Sequence, residues 1–127
     1  MESIFFEHYS KVPKDLWRWP NFAPVEIASK GNGSILINFR ALDTLQYART
    51  LARKPFIIHS AYRDPLHNAM VGGAPRSYHL DGVAFDVGLE GFKKKELEYF
   101  LRQAGFTGFG LNYQTFIHAD TGRRREF

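Results

Sequence analysis

The chain is 127 residues long, 44% hydrophobic and 16% aromatic with 12 Phe, which fits one folded domain able to bury its own core and excludes a disordered chain. It has no Cys, excluding disulfides and thiolate metal sites, and no apolar run near the roughly 18 residues of a membrane span. The net charge of +4 favours an anionic partner, yet the bases are scattered except at Lys93–Lys95 and Arg123–Arg125, which read as solvated surface and a frayed tail. Nothing resembles a recognition helix or an aromatic-studded RNA-binding strand, so no nucleic-acid partner is expected.

In chain order, the first fifteen residues (MESIFFEHYSKVPKD) have neither a basic n-region nor a long apolar stretch, so no signal peptide is expected. Localisation stays open on sequence grounds: retention in the cytoplasm, release by lysis or a leader outside this stretch are all compatible. Residues 1–23 read as an irregular, aromatic-rich arm, with Pro13, Pro20 and Pro24 opposing long regular elements. Trp17 and Trp19 are expected to pack on the core rather than to stack on sugars. A short helical turn at Pro24–Ser29 and a turn at Gly31–Gly33 follow. Asn38 can cap a helix running to Arg53, with Leu42, Leu45, Ala48, Leu51 and Ala52 on one stripe and Pro55 as the stop.

Phe56–Ser60 reads as a short apolar strand. Asp64 and Pro65 suit the cap and first position of a helical turn to Met70, ended by Gly72-Gly73. Val83–Val87 alternates as a strand and places Asp86 on the face opposite Phe85 and Val87. Lys93–Ala104 is a second amphipathic helix, with Leu97, Phe100, Leu101 and Ala104 inward and Gly105 as its stop. Strands near Phe109–Tyr113 and Phe116–Ala119 form a hairpin around Gln114-Thr115. The pattern predicts a single α+β domain over 1–127, a small antiparallel sheet with helices packed on one side.

The chemistry concentrates in SYHLDGVAFD (Ser77–Asp86) and FIHAD (Phe116–Asp120). Asp86 lies in an apolar strand, where an unpaired carboxylate is costly to bury. A dication is its natural partner, an arginine or backbone amides the alternative. His79 stands seven residues earlier, with Gly82 free to turn the chain between them, and His118 is another polar residue in an apolar strand. Two imidazoles and one carboxylate are the protein ligands of an open catalytic zinc site. Asp120 shares a strand face with His118, either as a partner that orients an imidazole or as a general base. His59 reads as a core or supporting histidine, His67 as part of a cleft wall, and His8 has no assigned role.

The spaced residues Ser77, His79, Gly82, Ala84 and Asp86 (S-x-H-x-x-G-x-A-x-D), with SAYRDPLHN, VGGAPRSYHLDG and FIHADTG around them, resemble the zinc D-alanyl-D-alanine carboxypeptidase and murein endopeptidase family. That family shares its fold with the hedgehog signalling domain, and the resemblance, to a compact bacterial and phage branch, covers roughly 24–122. It implies that His79, Asp86 and His118 bind Zn2+. It further implies that Arg63 engages a substrate carboxylate or carbonyl and that Ser77 hydrogen-bonds substrate. Tyr78 and Gln114 are further candidate substrate contacts. The implied reaction is hydrolysis of a peptide bond in peptidoglycan stem peptides, involving a D-amino acid.

Two family features are absent. The acid expected three residues before the last histidine is Thr115, and the alternative H-x-H ending is broken by Phe116. Asp120 is therefore the first candidate base and Asp81, two residues after His79, the second. A zinc-stabilised binding or assembly module without turnover is the alternative to an enzyme.

Overall fold

The computed structural model describes residues 3–127. It opens with β1 (Ser3–Phe6), a correction to the irregular arm expected there. The reason lies downstream: in β2 (Ile35–Asn38) Ile35 and Ile37 are buried, and such a strand needs a backbone partner. Residues 3–6 supply it in antiparallel register, Ser3 opposite Asn38 and Phe6 opposite Ile35. The prolines act only from Pro13 onward. Between the two strands Trp19 is buried, its Nε1 donating to Asp43 at 2.8 Å, and Trp17 Nε1 donates to the Phe22 carbonyl at 2.7 Å; both indoles belong to the packed core and its edge. The short helix α1 (Pro24–Ile27) starts on Pro24, and Glu26 reaches back to accept from Ala23 N at 2.7 Å.

Helix α2 (Phe39–Ala52) is capped by Asn38, whose Oδ1 accepts from Ala41 N at 2.9 Å. It ends one residue before Lys54-Pro55, on Arg53 in the left-handed conformation (φ 56°). Its buried stripe is Ala41, Leu42, Leu45, Ala48 and Ala52. Leu51, expected inside, is only half-buried, and Ala52 takes the inward position at that end of the helix. After α2 come β3 (Ile58–Ser60), two residues shorter than expected, and α3 (Pro65–Met70), capped by Asp64. Then follow β4 (Ala84–Gly88), α4 (Lys94–Ala104), β5 (Gly108–Gly110), β6 (Phe116–Asp120) and β7 (Arg125–Glu126).

The larger sheet has the order β3-β4-β6-β5-β7. All its pairs are antiparallel except β5–β7, which is parallel, so the sheet is mixed and Arg123–Arg125 is no frayed tail. Phe85 and Val87 of β4, Ile117 and Ala119 of β6 and Phe109 of β5 join Leu97 and Leu101 of α4 and the α2 stripe in one core. Strand alternation sends Asp86, His118 and Asp120 to the opposite face. Helices α2 and α4 thus pack on one side of the sheet, and the other carries Asp86, His118 and Asp120 with Phe116 beside them. No helix among the described residues is long and apolar enough to cross a membrane.

Candidate metal centre and its cleft

Register brings the three candidate ligands together. Asp86 of β4 and His118 of β6 are direct cross-strand partners, so their side chains leave the sheet on the same face. His79 arrives on a one-turn 3-10 segment, Tyr78–Asp81, that ends on Gly82. Gly82 has φ 71°, and a Cβ there would meet the Leu36 carbonyl at 2.8 Å, so both backbone conformation and space demand glycine. The turn is held by Arg63 N donating to the His79 carbonyl at 3.1 Å and by Ser77 Oγ accepting from His79 N at 3.1 Å. Ser77 is therefore a cap for this turn as well as part of the cleft wall.

Each imidazole is oriented from behind. His79 Nδ1 lies 2.6 Å from the Ala61 carbonyl, and His118 Nε2 lies 2.7 Å from Asp120 Oδ2. Both partners can only accept, which places the ring protons on His79 Nδ1 and His118 Nε2. The opposite nitrogens, His79 Nε2 and His118 Nδ1, then each aim at Asp86 Oδ1 from 3.2 Å. Lone pairs at that distance from a carboxylate oxygen repel it unless a proton or a cation lies between. The separation matches a metal: donors at the corners of a tetrahedron with bonds of about 2.0–2.1 Å sit about 3.3 Å apart. One donor atom from each of His79, Asp86 and His118 falls within 4.8 Å of the others, and all three residues are buried. The donor set therefore fits a divalent ion that takes nitrogen and oxygen ligands and keeps a position open.

The electrostatics follow from the same contacts. In the metal-free protein, burial pushes the Asp86 carboxyl up, but hydrogen bonds from His118 and His79 outweigh it and hold its pKa at about 2. Burial pushes the His118 imidazole down, and Asp120 and Asp86 together leave it above its ordinary value. Asp120 is fully buried, and its pKa is also held at about 2, burial being outweighed by His118, Arg125 and the Gly122 amide. Arg125 grips Asp120 with Nη1 to Oδ1 at 3.0 Å and Nη2 to Oδ2 at 2.9 Å.

Of the two roles the sequence left open for Asp120, its geometry is that of the orienting partner. Both oxygens are engaged on the far side of the His118 ring from Asp86. Room for it is made by small neighbours. Ala84 and Gly108 are its cross-strand partners on either side, and Gly110 lies opposite His118. A Cβ on Gly108 would overlap both Asp120 Oδ1 and Arg125 Nη1. The alternating glycines of Gly108-Phe109-Gly110 and the partner Arg125 were missed in the sequence. The glycine spacing was the available signal, since on a strand it strips one face of side chains.

The metal site lies in the wall of an open cavity of about 740 Å3. Arg63 also lines it, fixed by three contacts: Nε to Ser60 Oγ at 3.2 Å, Nη1 to Asn68 Oδ1 at 3.2 Å and Nη2 to Asp86 Oδ2 at 3.4 Å. Asp86 thus turns one oxygen to the histidines and the other to the guanidinium. Ser77 and Tyr78 belong to the wall; Gln114 and Asp81 do not, both being exposed elsewhere on the surface. Tyr113 and Phe116, stacked with ring centroids 4.4 Å apart, form an aromatic side with Phe127. His67 packs against the Gly31 turn instead of the cleft, and His59 pairs with Glu90 at 2.9 Å.

No curated protein matches the chain. A family model described as Peptidase M15 matches residues 21–120, a stretch that contains all three candidate ligands, the Arg63 loop and Asp120. With that match over most of its length, and a His-Asp-His cluster shaped for a metal, the chain belongs to the Peptidase M15 family of metal-dependent peptidases.

Proposed function

We propose that the protein is a zinc peptidase that hydrolyses a bond next to a D-amino acid in peptidoglycan stem peptides, as a D,D-carboxypeptidase or an endopeptidase. The observation that carries this reading is the pair of imidazole nitrogens converging on Asp86 Oδ1, each from 3.2 Å, beside a fixed guanidinium in an open cavity. His79, Asp86 and His118 would hold the ion. When bound, zinc supplies a Lewis acid for the scissile carbonyl and lowers the pKa of a water from about 15.7 towards about 7.

The chain's own residues do the rest. Arg63 presents a planar fork to a peptide carboxylate, or to the negative charge that grows on the carbonyl oxygen as the bond is attacked. Its hold on Asn68 and Ser60 fixes that fork before substrate arrives, so little ordering remains to be done on binding. Asp120 keeps the His118 proton on Nε2 and the ring at a fixed angle, while Arg125 keeps Asp120 ionised. A cell-wall substrate would be met in the periplasm, at the cell surface or after release by lysis.

A second reading is favoured by one observation: among the described residues Asp86 is the sole acidic side chain in the cavity wall, so no second side-chain acid stands ready there to take a proton from water. Under it the domain holds zinc and peptide without efficient turnover, as a binding or assembly module. Zinc-loaded protein incubated with purified peptidoglycan and with a synthetic peptide ending in D-alanyl-D-alanine separates the two. The peptidase reading expects cleavage that a chelator stops and added zinc restores. Peptide binding by the zinc-loaded protein, with no cleavage between pH 6 and about 9, would favour the module.

A further inference from the structure

Among the described residues the cavity wall carries four guanidiniums, of Arg63, Arg76, Arg123 and Arg125, against the single acidic side chain of Asp86. Two of the four are committed. Arg63 is spread over Ser60, Asn68 and Asp86, and Arg125 is clamped bidentately on Asp120. Arg76 and Arg123 are different. Both are exposed and line the cavity, which places them at its mouth, and among the described residues neither has an acidic partner. They come from separate segments, Arg76 from the loop after α3 and Arg123 from the turn after β6, so the fold converges them on one opening. Among the described residues no Lys lines the same wall. Every cation there is the planar type that meets a carboxylate with two parallel hydrogen bonds.

We infer that Arg76 and Arg123 form a second anion subsite, selecting peptides that carry a carboxylate in addition to whatever Arg63 engages at the reacting end. The inference rests on the peptidase reading of this cavity and adds the substrate's charge to it. A cavity of about 740 Å3 lies in the upper part of the range for sites that enclose a small ligand, roughly 300–1,000 Å3, and so has room for a second recognised group. The physical division of labour is simple. Arg63, partly buried and braced, orients the group at the metal. The mouth pair, exposed and unbraced, attracts an acidic peptide and holds its far carboxylate, and salt should weaken this effect.

The test uses acetylated tetrapeptides ending in D-alanyl-D-alanine with glutamate or glutamine at the first or second position, given to the zinc-loaded full chain. Wild-type protein is expected to favour a glutamate peptide over its glutamine twin by about threefold or more in kcat/KM, the scale of an exposed ion pair. In Arg76→Gln/Arg123→Gln that ratio is expected to fall towards one, and in wild type 0.5 M salt should compress it in the same direction. A ratio near one in wild type, or a preference unchanged in the double variant, would overturn the subsite. Binding of the same peptides, read by calorimetry, separates this from failure of the peptidase reading. If nothing is cleaved but the glutamate peptide still binds more tightly and loses that advantage in the double variant, the subsite stands and the hydrolase does not. Equal binding of the twins removes the subsite whatever the activity. Should the double variant fold poorly, Arg76→Gln and Arg123→Gln made singly are each expected to lower the ratio, and a ratio unchanged in both would overturn the subsite.

Discussion

At the scale of single residues, what distinguishes this site is how little freedom its two imidazoles have. The Ala61 carbonyl fixes the tautomer of His79, and Asp120 fixes that of His118. Removing such a partner usually weakens metal binding 10–100-fold. Asp120→Ala should therefore bind zinc about 10–100-fold more weakly in competition with a chromophoric chelator. Asp120→Asn, which keeps an oxygen to accept from Nε2, should fall between it and wild type. Equal zinc affinity in all three proteins would remove the orienting role.

The pH dependence has a defined sign. His118 titrates above its ordinary 6.5 in the metal-free fold, so its proton stabilises that fold below 6.5, and the contribution disappears as pH rises through the raised value. Zinc needs the same nitrogen bare. Affinity should thus climb with pH through that window, by about tenfold per unit for each proton displaced, and level off above it. On the acid side Asp86 and Asp120 drop from 3.8 to about 2 on folding; the stability they contribute is present above 3.8 and is lost as pH falls towards 2. Zinc titrations across pH 5 to about 9 check the first statement, and acid unfolding of the metal-free protein checks the second.

At the scale of elements, the site is a product of strand register. Asp86 faces His118, Ala84 faces Asp120, and Gly108 and Gly110 clear the other flank of β6. Gly108→Ala inserts a methyl where Asp120 and Arg125 already meet, so one of them must move. Overpacking of that kind costs about 1–3 kcal/mol, and here it should lower zinc affinity together with the urea midpoint. Unchanged affinity in Gly108→Ala would mean that the glycines do not shape the site.

The same elements mark what could be read beforehand. Helices α2 and α4, the Asp64 and Asn38 caps and the strands carrying Asp86 and His118 follow from local pattern and turn chemistry, which act over a few residues. The pairing of β1 with β2 across 35 positions and the parallel docking of β7 on β5 do not. They are non-local contacts, invisible to a period of two or 3.6. Arg125 was misread for that reason: in sequence it is one of three adjacent arginines, and only the return of β7 to the sheet delivers it to Asp120. Gln114 and Asp81 were nominated for proximity in sequence to a ligand, and the chain turns both of them out to solvent.

For the molecule as a whole, the contacts of His79 and His118 with Asp86 hold the three donors together in the metal-free fold, and a cation takes over that role. Three buried donors held together by protons alone become ligands when metal arrives, and binding free energy adds to folding free energy. At zinc a hundredfold above its dissociation constant the gain is about 2.7 kcal/mol, which for a domain of this size raises Tm by about 10 °C. A scan with and without chelator reads it directly. A Tm indifferent to zinc would show that these side chains are satisfied without a metal.

The most direct test of the whole account is the metal content of the purified protein and its ligand variants, measured by elemental analysis after loading with zinc and removal of excess. One zinc per chain is predicted for wild type, with little or none retained by His79→Ala, Asp86→Ala or His118→Ala. A wild-type chain that holds no zinc, or ligand variants that hold as much as wild type, would contradict the metal centre and with it the proposed hydrolysis.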